Sequence, residues 1–182
     1  MASDSVGIVS VIGINLLEPI LELIEKLETT PFADPNEVQA VPQENGYSCA
    51  IVTLNALLLE SAINRTKYIR HEICDDDSVD YFAKVTYDNE LAKDIDEVVA
   101  IRDAVVHNHL WEADVYWDDN LKLKFSKPPK LLEGFGNKRQ RRVMDPKTKL
   151  SRRLKLNLFP LRISRNDAYT SLRVVGRAGM CQ

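Results

Sequence analysis

Apolar residues recur at the spacing of one helix face near the start of the chain. Leu16, Leu17, Ile20, Leu21, Leu23, Ile24 and Leu27 predict a helix over residues 8–29, ended by Thr29-Thr30-Pro31. Pro19 either kinks that helix or marks the first turn of one beginning near Asn15. Three prolines and a glycine make residues 31–46 a loop. A longer helix is expected over 48–73, capped by Ser48 or Asn45. Ile51, Leu54, Leu57, Leu58, Ile63 and Ile69 make it apolar on most sides, the mark of a central bundle helix. Its polar exceptions, Thr53, Glu60 and Asn64, share one side of the wheel. Asp75-Asp76-Asp77 opens an acidic connection to residue 88, read as a solvated loop because it lacks the spacing and glycine of a calcium loop.

A third helix is expected over 89–111, with Leu91, Ile95, Val98, Val99, Val105 and Val106 forming one stripe. The period then changes to two. Ala113, Val115 and Trp117, a turn at Asp118-Asp119-Asn120, then Leu121, Leu123 and Phe125 predict a hairpin closed by Pro128-Pro129. Residues 134–153, rich in Gly, Lys and Arg, read as a long mobile loop, and Leu154, Leu156 and Leu158 as a third strand stopped by Pro160. A last helix runs from Ala168 to near the end, capped by Asn166 or Asp167 and weakened by Gly176 and Gly179. Trp111 and Trp117 are expected as core or edge aromatics.

Composition adds compartment and charge. The length fits one domain, and no internal repeat is visible. Cys49, Cys74 and Cys181 form no C-x-x-C, which fits a reducing cytoplasm better than a disulfide framework. The apolar stretch 6–17 has no basic residue before Lys26 and is interrupted by Asn15 and Glu18. Neither a signal peptide nor a membrane span is expected. The net charge of −3 hides a split. Residues 1–120 hold 7 Lys+Arg against 24 Asp+Glu, and residues 121–182 hold 17 against 3. The basic third either grips a polyanion or pairs with the acidic part, within a chain or across a dimer.

The candidate chemistry lies on the third helix. Arg102 falls near the middle of the apolar stripe, where a guanidinium needs a partner or a cleft. His107 follows five residues later, and the pair suits phosphodiester chemistry. Arginine stabilises a phosphorane-like oxyanion, and histidine moves protons near neutral pH. On an ideal helix His109 lies about 20° from Arg102 and His107 about 140°, so the wheel favours His109. Asp103, four residues before His107, is placed to orient that ring instead. The histidines His71, His107 and His109 show no zinc-ligand spacing, so no metal and no cofactor are expected. The plain alternatives are a buried Arg102–Glu60 pair and a His107 that complements the helix dipole.

The run Arg102-Asp103-Ala104-Val105-Val106-His107 places four residues between Arg and His, and a small polar residue after the Arg, near the end of a third helix. This resembles the signature of the HEPN superfamily. The run Glu60-Ser61-Ala62-Ile63-Asn64-Arg65 is similar to that family's second helix. The likeness spans roughly residues 10–111 and extends to the final helix. It implies a mainly α, HEPN-like antiparallel helical bundle, one domain over 1–182, with a small β-hairpin and basic insert at 112–162 before the last helix. It further implies a metal-independent endoribonuclease acting as a homodimer, with 2′,3′-cyclic phosphate and 5′-hydroxyl products. His107 would be the acid or base, with His109 in reserve, because the family's usual spacing and a cleft between two protomers favour His107. Arg102 would hold the scissile phosphate, Asp103 would orient His107 or Arg102, and Glu60 and Asn64 would support the guanidinium. RNA would lie along Lys138, Arg139, Arg141, Arg142, Arg152 and Arg153. Family analogy supplies a toxin–antitoxin or antiviral setting, with a nucleotidyltransferase-type antitoxin as partner. The competing expectations are a non-catalytic RNA-binding module and a dimeric interaction protein.

Overall fold

The computed structural model describes residues 13–32, 37–38, 41–72, 74–107, 110–134 and 136–179. The start of the helix expected from residue 8, and His109, fall outside the described residues. Helix α1 is Leu17–Thr29, entered through a 3-10 turn at Gly13–Leu16, so Pro19 sits in a first turn. Gly13 donates its N–H to Ser61 Oγ at 3.1 Å, and a Cβ there would meet that oxygen at 2.9 Å. Only glycine allows this close approach.

Helix α2 is Pro42–Ile69, starting six residues before the expected 48 and ending four before the expected 73. Pro42 occupies the first helical position, where its missing N–H costs nothing, so this proline begins a helix rather than preventing one. Ile51, Val52, Ala56, Leu59 and Ile63 are buried, and α2 packs on α1 and on the later helices. By length and composition α2 also passes for a membrane span, a test that a core helix meets equally.

The acidic connection expected to residue 88 is instead a helix, α3, at Ser78–Thr86. The Asp77 side chain caps it by accepting the Val79 N–H at 2.9 Å, and Val79, Tyr81 and Phe82 are buried. Helix α4, Asn89–Val106, is capped by Asp88, which accepts the Leu91 N–H. It ends five residues before the expected stop. Trp111 belongs to the strand that follows.

Among the described residues, four short strands form two nested antiparallel pairs. Strand β1 (Trp111–Glu112) pairs with β4 (Lys130–Leu131), and β2 (Val115–Trp117) with β3 (Leu123–Phe125). The inner pair is the expected hairpin. Asp118 organises its turn by accepting the N–H groups of Asn120 and Lys122. Trp117 is largely exposed at the hairpin edge, whereas Trp111 is half-buried against Phe159.

The basic stretch 134–153 is not one open loop. It contains helix α5, Lys138–Val143, capped by Asn137, which accepts the Gln140 N–H at 2.8 Å. The third strand expected at 154–158 does not form. Among the described residues its ladder contacts are isolated bridges, Met144 with Ser151 and Leu150 with Asn157. Leu156 and Leu158 are buried, but Lys155, between Leu154 and Leu156, has φ +58°, which a strand cannot contain. Helix α6, Arg165–Gly179, starts before the expected caps. Asp167 lies in its first turn and reaches back to the Ser164 N–H at 2.9 Å. The result is mainly α, with the core between α2, α4 and α6.

Candidate functional site

Two helices bring the expected residues together. The Arg102 guanidinium on α4 is ion-paired with Glu60 on α2, and its Nη1 lies 3.3 Å from Asp103 Oδ1. Its Nε–H is buried without a partner. The Asp103 carboxylate is almost fully buried. It accepts a hydrogen bond from Asn137 Nδ2 at 2.5 Å, with Arg139 Nη1 at 3.6 Å. His107 Nε2 lies 4.0 Å from Asp103 Oδ1, within ion-pair range but beyond a hydrogen bond. His107 caps the C-terminus of α4, where its backbone N–H reaches Asp103 O at 3.0 Å and its ring is 57% exposed. Arg102 is thus held inside while the imidazole faces solvent, with Asp103 between them.

Asn64 lies one turn beyond Glu60 and is exposed; the carboxylates that meet Arg102 are those of Glu60 and Asp103. Thr53 is turned to its own helix, donating to Cys49 O. Burial raises the Glu60 carboxyl above the ordinary carboxylate range, and the Arg102 charge opposes this without cancelling it. Away from the site, burial and the nearby Asp167 push the Cys49 thiol up to about 11, which keeps it unreactive.

The basic segment divides in two. Arg139, Arg142 and Arg153 are paired with carboxylates of α4 and with the α3 cap, although Arg142 and Arg153 stay exposed. Arg139 pairs with Asp96 at 2.9 Å and with Asp77 at 2.6 Å. Arg142 Nη2 also reaches Asp96, at 2.7 Å, and Arg153 pairs with Asp94 at 2.8 Å and Glu90 at 2.9 Å. Burial opposes the charged forms of both Arg139 and Asp77. The Val79 N–H and then Arg139 outweigh it and lower Asp77, while the hydrogen bonds and charges of Asp77 and Asp96 raise Arg139. Lys138, Arg141 and Arg152 are exposed. Much of the charge split seen in the sequence is therefore closed within one chain.

Asn137 escaped the sequence reading although it both caps α5 and holds Asp103. The signal was present as Asn137-x-x-Gln140, the spacing of a helix start, but it sits inside a basic run. Among the described residues, no three His, Cys, Asp or Glu side chains are grouped to hold a metal ion. Compared with models of known protein families, with curated proteins and with solved structures, the chain has no significant match.

Proposed function

We propose that this chain is a metal-independent endoribonuclease of HEPN type, centred on Arg102 and His107. What supports the reading is the single carboxylate of Asp103, whose Oδ1 has Arg102 Nη1 at 3.3 Å and Nε2 of the exposed His107 ring at 4.0 Å. RNA carries its own nucleophile, so a base, an acid and a cation suffice. His107 takes the proton of the 2′-hydroxyl as that oxygen bonds to phosphorus. The bond from phosphorus to the 5′-oxygen breaks and that oxygen takes a proton from solvent water, giving a 2′,3′-cyclic phosphate and a 5′-hydroxyl. Arg102 meets the charge that develops on the phosphate, and Glu60 fixes its guanidinium from the neighbouring helix. The exposed Lys138, Arg141 and Arg152 supply phosphate contacts. The family resemblance adds a homodimer and a defence role beside a nucleotidyltransferase-type antitoxin, and the sparse cysteines fit a cytoplasmic setting.

A second reading, a non-catalytic RNA-binding module, is favoured by one observation. Arg102 already meets two carboxylates, and its side chain is only 16% exposed, so a phosphate would have to share it. Cleavage of a structured RNA in excess EDTA separates the two. The nuclease reading expects activity in wild type and His109→Ala, lost in Arg102→Ala and His107→Ala. Binding without cleavage by the folded wild type supports the second reading. Loss in His109→Ala with activity kept in His107→Ala would move the imidazole to His109.

A further inference from the structure

The first turns of the chain leave an apolar stripe open to solvent. Ile14, Leu17 and Leu21 recur at helical spacing, and Ile14 and Leu21 are 72% and 60% exposed. Beside the stripe, α1, α2 and α6 leave an apolar cleft of about 340 Å³. Leu17 and Ile20 of α1, Leu58 and Ala62 of α2, and Leu172 and Val175 of α6 line it. Ile14 and Leu21 lie beyond that lining, so a small molecule seated in the cleft would leave them in water. A macromolecular partner covers stripe and cleft together, and contiguous exposed apolar surface marks such partners. Leu58 and Ala62 are each two residues from Glu60, which puts this face on the opposite side of α2 from Arg102's partner.

The charged borders of the face indicate which partner. Glu18, Glu22 and Glu25 are exposed on α1, each one residue after Leu17, Leu21 or Ile24, so an acidic stripe runs beside the apolar one. Among the described residues none of the three enters an ion pair. On α6, Arg173 and Arg177 are exposed and follow the cleft residues Leu172 and Gly176 in the same way. The Arg173 guanidinium bonds only within its own helix, to Tyr169 O at 3.3 Å and Thr170 Oγ1 at 3.0 Å. Arg177 reaches Asp94 at 3.4 Å. One border is thus acidic, the other basic, and the floor between them apolar. Such a face is complementary to itself. A two-fold axis along the cleft lays α1 of each copy on α6 of the other, acid against base and apolar against apolar. We propose that two copies of this chain pair through this face. The face lies away from Arg102 and His107, so the pairing does not rest on the nuclease reading, and RNA cleavage tests that reading separately.

Sedimentation of the full chain tests the pairing. Wild type is expected to dimerise at micromolar concentration, less tightly in raised salt. Leu21→Lys should give a folded monomer, because Leu21 is exposed and a lysine there has Glu18 and Glu25 one turn away on its own helix. Arg173→Glu and Glu22→Arg should each weaken the dimer about tenfold, since one reversal acts at both symmetric contacts. Mixing these two variants should restore a dimer of one copy of each. The reversed charge on α6 of one then meets the reversed charge on α1 of the other. A wild type that stays monomeric, a dimer unmoved by Leu21→Lys, or a mixture no tighter than either variant alone would overturn the proposal. So would dimerisation that appears only after residues 1–12 are removed, which assigns the face to that segment.

Discussion

Asp103 carries more partners than any other carboxylate near His107: Arg102, Arg139, Asn137 and the histidine itself. Holding Asp103 in place is therefore the task of Asn137, which reaches it from another element. Asn137→Ser separates two roles, because serine caps α5 about as well but is too short to reach Asp103. The melting temperature should be kept while cleavage falls about tenfold, about 1.4 kcal/mol in the barrier. Full activity in Asn137→Ser would remove Asn137 from the site. Glu60 yields a pH dependence. Its folded pKa is raised, so the folded state binds this proton more tightly than the unfolded chain. That contribution is complete below the unfolded value, about 4.3, and is lost as pH rises through the folded one. Glu60→Gln should flatten this decline in denaturant melts across weakly acidic pH; an unchanged slope would contradict it. The Arg102–Glu60 pairing was legible because a cation on an apolar stripe must find a partner and Glu60 was the polar exception on the adjacent helix. Asn137 was not legible, since its partner lies 34 residues away and a cap signature says nothing about tertiary contact.

At the scale of elements, α4 is unusual in burying Asp94, Asp96, Glu97 and Asp103 along one helix. Each acid organises chain from the basic segment. Glu97 accepts from Ser151 Oγ at 2.6 Å and from the N–H groups of Arg153 and Leu154, both at 2.8 Å. These bonds shape residues 151–156 without a strand. Glu97→Ala would leave those donors unmet at a cost of about 3 kcal/mol. Hydrogen exchange should show lost protection at Arg153 and Leu154 while α2 keeps its own. Unchanged protection there would mean that the turn holds itself. The helical period made α1, α2 and α4 legible in outline. It missed α3, because three adjacent acids look like a solvated loop when the last of them is in fact a cap over buried Val79, Tyr81 and Phe82. The alternating leucines of 154–158 misled for the opposite reason, since burial set their pattern and a left-handed Lys155 broke the strand.

Over the whole molecule, the acidic and basic parts of the sequence meet through Arg139, Arg142 and Arg153. Composition left open whether the basic third faces a polyanion or the chain itself, because charge counts carry no geometry. The pairing sets an expectation for RNA binding. If Lys138, Arg141 and Arg152 make the phosphate contacts, the logarithm of affinity should fall with the logarithm of salt at a slope of about −2. A slope near −4 would mean that all six expected cations engage RNA and that the intramolecular pairs open. Neither slope reaches the chemistry, which the ends of the cleaved RNA report directly. The decisive measurement is incubation of a structured RNA with the full chain in excess EDTA, followed by identification of the new ends. The account predicts 2′,3′-cyclic phosphate and 5′-hydroxyl ends, formed by wild type and lost in His107→Ala. Intact RNA after incubation with folded wild type, or cleavage only when magnesium is supplied, would contradict it.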